Sequence, residues 1–232
     1  MGTRLIARGL DLAGDDPCLW NLARPEEVAD IHRRDVAAGS DALLTNTFGA
    51  NRRWLSRFGR GDEVREINAR AVARAREAGP RLVFGSVGPS AGDDLGAMIE
   101  QVDALAEAGV DAILFETFGP SGPPMVRLDT GVPILVSYIS EAEMPHGVAA
   151  VGCNCLDLAA TSSLVAAMSQ KSDLPLIAKP SAGLPGGPSA TPEDFAEAVP
   201  AWLRLGVRLI GGCCGATERH VAALRRGIDS RG

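Results

Sequence analysis

Residues 93–117 read DDLGAMIEQVDALAEAGVDAILFET, and the order of their parts decides the fold. An Ala-rich amphipathic run ends on Ala-Gly, and a short apolar run follows at once. Glycine takes the left-handed backbone geometry without a steric penalty, so Ala-Gly ahead of an apolar run marks a helix that stops and returns as a strand. The same punctuation recurs at Gly39, Gly79 and Gly206, each just before an apolar run. Repeated returns of this kind are the signature of βα units and a parallel sheet.

Outward from that stretch, strands are predicted at residues 41–47 (DALLTNT), 81–87 (RLVFGSV), 111–117 (DAILFET), 132–138 (VPILVSY), 148–155 (VAAVGCNC), 174–179 (LPLIAK) and 207–212 (VRLIGG). Helices are predicted at 25–38, 62–78, 93–108, 157–170, 192–205 and 217–226, several opening with Pro, Asp or Thr where caps belong. Two links do not fit a complete barrel. The segment from Thr117 to Val132 is rich in Gly and Pro and that from Tyr138 to Val148 is shorter still, whereas a parallel crossover needs about a dozen residues or more. Nor does a strand precede the loop and helix that open the chain at Met1. The expectation is an α/β fold, a TIM-like (β/α)8 barrel that is shortened, with its first strand and two outer helices missing or vestigial, forming one domain over residues 1–232. The Gly/Pro/Ser stretch 181–189 reads as a long active-site loop and not as a domain linker.

A composition of 46% hydrophobic and 22% charged residues is that of a globular protein. No apolar run approaches the roughly 18 residues that span a bilayer, so no membrane partner is expected. The absence of a charged segment followed by an apolar core at the start points to the cytoplasm, where stable disulfides are rare. A net charge of -6 argues against nucleic acid, and the Arg-rich stretch 65–81 alternates with apolar residues as a solvated helix face does. The open barrel edge leaves room for a homo-oligomer.

Of the five cysteines, Cys213 and Cys214 follow a predicted strand inside IGGCCGAT, and Cys155 ends another in GVAAVGCNC. In parallel barrels the carboxyl ends of strands converge on one axis, so thiols from distant parts of the chain can meet there. Three soft thiolates suit zinc, which in catalytic sites keeps a fourth position open. Spacing alone leaves a second reading standing, in which these are small buried hydrophobes. Cys153 is expected on the opposite side of its strand from Cys155, in the core, and Cys18 as a bystander near Trp20. His32, His146 and His220 stand apart without spaced partners and are expected to be structural, none of them a metal ligand. Ser86, Asn46 and Thr47 sit at strand ends, where they could contact a substrate or cap their loops. Asn154 is expected to orient the Cys155 loop, and Glu116 to be either a site carboxylate or a rim ion-pair partner.

Seven segments in order, residues 1–5 (MGTRL), 44–51 (LTNTFGAN), 85–89 (GSVGP), 115–118 (FETF), 152–155 (GCNC), 179–185 (KPSAGLP) and 210–220 (IGGCCGATERH), resemble the homocysteine S-methyltransferase family. The resemblance runs the length of the chain. It implies that Cys155, Cys213 and Cys214 bind Zn2+ and activate the thiol of homocysteine, yielding methionine, and that Glu116 receives the substrate's ammonium. The partners it implies are homocysteine and a methyl donor. With no cobalamin or folate module in this sequence, the donor is expected to be a small molecule such as S-methylmethionine, S-adenosylmethionine or a betaine, or a separate methyl-corrinoid protein. The family pattern opens with a strand ending in Asp-Gly whose aspartate contributes to homocysteine binding, and residues 1–3 have no counterpart to it. The alternative implied is a non-catalytic or altered-substrate relative that binds zinc and a thiol.

Overall fold

The structure is a computed structural model that describes residues 1–92, 94–124, 130–184 and 189–230. Its elements, in chain order, are α1 (Gly2–Ile6), α2 (Trp20–Ala23), α3 (Pro25–Ala37), β1 (Ala42–Leu44), α4 (Arg52–Leu55), α5 (Val64–Glu77), β2 (Leu82–Val87), α6 (Leu95–Glu107), β3 (Ala112–Phe118), β4 (Ile134–Tyr138), β5 (Ala150–Asn154), α7 (Leu158–Ser169), β6 (Leu176–Lys179), α8 (Pro192–Arg204), β7 (Val207–Ile210) and α9 (Glu218–Asp229). The seven strands form one parallel sheet in sequence order.

That order is the order of a barrel wall. Among the described residues β1 pairs only with β2 and β7 only with β6, so the wall curls without closing. Residues of both edge strands, including Leu44 and Leu209, line one cavity of about 470 Å³ inside the curl. All seven predicted strands and six predicted helices are present; most ends are trimmed by a few residues, while α9 runs on to Asp229 and β3 to Phe118. The described residues between β3 and β4, and those between β4 and β5, form no helix, as the short links required. Asp93, residues 125–129 of the first of these links and residues 185–188 of the Ser181–Ser189 loop lie outside the described residues. The short helices α2 and α4 were not anticipated.

Strand alternation builds two apolar layers. Ile113 and Phe115 of β3, with Val83, Val136 and Val151, face the helices in the larger core. Ala112, Leu114, Leu135, Ala150 and Ile177 face the barrel interior. Towards the carboxyl ends of the strands the interior face becomes polar: Ser86, Glu116, Ser137, Asn154 and Lys179 are all buried there, one from each of five consecutive strands. The helices thus hold a wall whose inner face is apolar below and carries functional groups at its carboxyl end.

Helix α1 lies across the open side. Arg4 bridges Asp35 of α3 at 2.6 Å and Glu218 of α9 at 2.8 Å, and Arg8 reaches Glu27 and Asp30. Helix α8 begins on a reciprocal cap, in which Asp194 N donates to Thr191 Oγ1 (3.1 Å) and Thr191 N donates to Asp194 Oδ2 (2.7 Å). Removing such a cap costs about 1 kcal/mol. Thr191→Ala should therefore lower the thermal midpoint by about 2–4 °C in a chain of this size, and an unchanged midpoint would show that the cap is dispensable. Among the described residues no helix is long and apolar enough to cross a membrane.

Candidate active site

Three thiols meet at the carboxyl rim. Cys155 follows the last residue of β5, and Cys213 and Cys214 lie in the turn after β7. Their Sγ atoms are all within 4.8 Å of one another, with Cys155 and Cys214 3.4 Å apart.

The turn carrying Cys213 and Cys214 is clamped to the loop after β6. Cys213 N donates to Pro180 O (2.8 Å), while Ala182 N and Ser181 Oγ donate to Cys214 O at 2.7 and 3.1 Å. Gly215 follows the pair because its φ is +73° and a Cβ there would lie 2.1 Å from Gly183 O. Its N–H donates to Thr3 Oγ1 (3.1 Å), which ties the turn to α1.

Cys155 is placed by a break in the strand. Residues two apart on a regular strand share a face, yet Cys153 is buried against the helix layer, beside Thr161 O, while Cys155 joins the rim. The opposite placement predicted for the two is observed, and its cause is the φ of +61° at Cys155, which interrupts the alternation. Thr117, near the end of β3 and one strand beyond β4, has a φ of +69°; these two are the positive-φ residues other than glycine among those described. Such conformations cost of order 1–3 kcal/mol and persist where the surroundings impose them. Here Cys155 N donates to Lys179 O (3.1 Å) and Thr117 N to Asn154 Oδ1 (2.9 Å).

Thiols this close share their protons. Hydrogen bonds from Cys155 and Cys214 hold Cys213 far below the ordinary thiol range, with the Lys179 ammonium and the Asn154 amide assisting. Cys155 is driven in the opposite direction by its bonds to Cys213 and Cys214 and by burial. The cluster by itself therefore favours one thiolate, and a soft cation is what allows all three to ionise together. The donor set fits zinc. Two sulfurs bound at about 2.3 Å to one tetrahedral ion lie about 3.8 Å apart, a spacing that the 3.4 Å pair and the 4.8 Å limit bracket. The other cysteines are unsuited: burial pushes Cys153 up to about 12, and burial with the Asp16 carboxylate nearby raises Cys18 well above the usual range.

Below the thiols lies the polar layer. Glu116 Oε1 accepts from Ser86 Oγ (2.5 Å), and Oε2 accepts from Lys179 Nζ (2.6 Å). Asn154 Oδ1 also accepts from Ser137 Oγ (2.6 Å), while its Nδ2 donates to Thr117 Oγ1 (2.8 Å) and faces Cys213 Sγ at 3.8 Å. Asn154 thus braces both strained residues' surroundings and one thiol. Asn46 Nδ2 donates to Pro17 O (2.5 Å) and Thr47 Oγ1 to Ser86 O (2.8 Å), so both spend their donors on backbone carbonyls of neighbouring segments. The histidines lie elsewhere. His32 is buried in α3, with burial lowering it to about 3; His220 caps α9 and stacks on Phe195 with ring centroids 4.9 Å apart; His146 is exposed. The metal-capable group among the described residues is Cys155, Cys213 and Cys214.

Lys179, Thr117 and Ser137 were not singled out from the sequence. A signal for Lys179 was present: only two of the 23 basic residues are lysines, and this one ends a strand.

A parallel barrel wall that gathers three thiols and a buried carboxylate–ammonium pair at its carboxyl rim defines a barrel protein with a thiol centre suited to a soft metal. The chain belongs to the homocysteine S-methyltransferase family, whose model matches residues 1–120 and 125–228. It is 30% identical to methionine synthase of Mycobacterium tuberculosis and 31% identical to that of Mycobacterium leprae, each over 95% of this chain. The chain spans about a quarter of those relatives, 23% of each. Among solved structures it resembles the metallated form of the homocysteine methyltransferase MmuM from Escherichia coli, with a TM-score of 0.76 and 25% identity, covering 97% of this chain and 92% of that one. The oxidized form of the same protein gives a TM-score of 0.78.

Proposed function

We propose that this chain transfers a methyl group to the thiol of homocysteine, forming methionine, with Zn2+ held by Cys155, Cys213 and Cys214. The observation that carries the reading is the meeting of three Sγ atoms within 4.8 Å at the barrel rim, in a chain of this family. An alkyl thiol has a pKa near about 8.5, so at neutral pH the weaker nucleophile dominates; zinc, when bound, supplies a metal–sulfur bond in place of the thiol proton. The thiolate then attacks the donor's methyl carbon, forming the new S–C bond as the bond between methyl and donor breaks.

The remaining roles belong to the chain's own side chains. Glu116 receives the substrate's ammonium through lone pairs left free by Ser86 and Lys179. Ser86 fixes the carboxylate's rotation. Asn154 holds Cys213 and the Thr117 backbone in place. Asn46 and Thr47 set the loops that surround the substrate. The donor is a small methylated cation or a methyl-corrinoid protein. Residues 1–232 act as one domain, in the cytoplasm, where thiols stay reduced; the open wall between β1 and β7 suits assembly into a homo-oligomer.

Glu116→Gln should raise the KM for homocysteine about 10- to 100-fold, the effect of losing a hydrogen bond to a charged group, with zinc content unchanged. Steady-state kinetics on the zinc-loaded protein measures it, and an unchanged KM would remove Glu116 from the substrate site. The function itself is tested by following methionine formation from homocysteine with each donor class in turn. Homocysteine binding without methionine from any donor would favour the second reading, a thiol-binding relative without turnover, which the unclosed wall between β1 and β7 supports.

A further inference from the structure

Lys179 is the feature of the rim that the reaction above does not use. It ends β6 with 8% of its surface exposed and places Nζ 2.6 Å from Glu116 Oε2, itself 7% exposed. No other ion pair of Glu116 is present among the described residues. Removing one partner from a buried ion pair leaves a desolvated charge that nothing compensates.

The choice of residue is also informative. This chain meets nearly every need for positive charge with arginine and keeps lysine at only two positions, Lys171 and Lys179. The first is exposed. The second is buried at the end of β6, where a compact ammonium makes one short contact and a planar guanidinium would bring five donors. Its single strong contact occupies one oxygen of Glu116, while Ser86 occupies the other. Each oxygen still has a lone pair, so the ammonium of a ligand can be bound by a carboxylate already fixed in direction.

We propose that Lys179 is a positioning residue for amino-acid recognition: its buried ammonium, 2.6 Å from Glu116 Oε2, holds that carboxylate aimed at the rim, so that the site selects thiols carrying an α-ammonium group. The proposal rests on the reading of Glu116 as the acceptor of that group. A residue that merely supported the fold, or that acted only on the thiol cluster, would affect all thiol ligands alike, whereas action through Glu116 changes the ratio between ligands with and without the ammonium.

The experiment compares two ligands that differ in that group alone. L-homocysteine and 4-mercaptobutanoate, which lacks the amine but keeps the thiol and the carboxylate, are titrated calorimetrically into the zinc-loaded protein at one pH. The wild-type protein should prefer homocysteine by about 10- to 100-fold. In Lys179→Met the preference should collapse towards one, with the affinity for 4-mercaptobutanoate and the zinc content retained. Lys179→Gln keeps a neutral donor at the same place and serves if the methionine variant does not fold; the same collapse is expected. An unchanged ratio in a folded, zinc-loaded variant overturns the proposal while leaving the proposed function standing. Failure of the wild-type protein to bind homocysteine overturns the reading of the site and the proposal with it.

Discussion

Cys213→Ala should leave the fold intact, abolish stoichiometric zinc and lower methionine formation by on the order of a thousandfold or more. Cys213 is the most telling of the three ligands because the rim is organised around it. It is the thiol that the other two hold as a thiolate, and Asn154 and the Lys179 ammonium both bear on it. Loss of one sulfur leaves Cys155 and Cys214, two donors where zinc needs at least three from the protein to stay bound in an open site. The cost to stability should be small, because the turn is held by Cys213 N and Cys214 O and not by the thiol. Metal analysis beside a thermal unfolding curve separates the two effects. A variant that still carries one zinc per chain would remove Cys213 from the metal centre.

Gly152→Ala should have the largest effect on folding. Gly152 lies in the middle of β5 opposite Ile177 of β6, and an added Cβ would fall 2.0 Å from Ile177 O and 2.6 Å from its carbonyl carbon and Cα. Backbone cannot move aside as a side chain can, so the methyl must separate two central strands at the position that carries Asn154 and Cys155 to the rim. Overpacking of this kind costs about 3 kcal/mol or more, a fall of roughly 6–12 °C in thermal midpoint, and weaker zinc binding should accompany it. Gly96→Ala provides the control. Gly96 is exposed near the start of α6, and its nearest foreign atom to a new Cβ is Asp94 Oδ1 at 3.5 Å. Alanine is favoured over glycine in a helix by about 0.5–1 kcal/mol, so that variant should be slightly more stable than the wild type. A Gly152→Ala protein with an unchanged midpoint would contradict the close approach of β5 and β6.

The contrast between those two glycines marks what the sequence could and could not reveal. Both read as glycine inside an element; only the neighbouring strand, 25 residues away, makes one of them indispensable. The sheet itself was legible because four helices end on a glycine before an apolar run, at Gly39, Gly79, Gly109 and Gly206, a local signal repeated along the chain. The meeting of the three thiols was legible because strand ends in a parallel barrel converge whatever their separation in sequence. That the described residues of the links after β3 and β4 form no helix could be read from the length and composition of those links. What stayed hidden depended on long-range contact or on backbone angles. Placing Cys155 in the rim needs the left-handed turn at that residue, which no composition signal announces. Lys179 meets Glu116 across 63 residues of sequence, and its motif gave it no role until that contact was seen. The four-residue helices α2 and α4 are too short for a helical period to register.

The central claim is a three-thiolate zinc centre that keeps a place for the substrate's sulfur. X-ray absorption at the zinc edge tests it most directly, on the purified protein before and after addition of L-homocysteine. The account predicts one zinc per chain with three sulfur ligands at about 2.3 Å, rising to four when the thiol is added. A protein that holds no zinc, or one whose zinc already has a closed shell that homocysteine leaves unchanged, would contradict it.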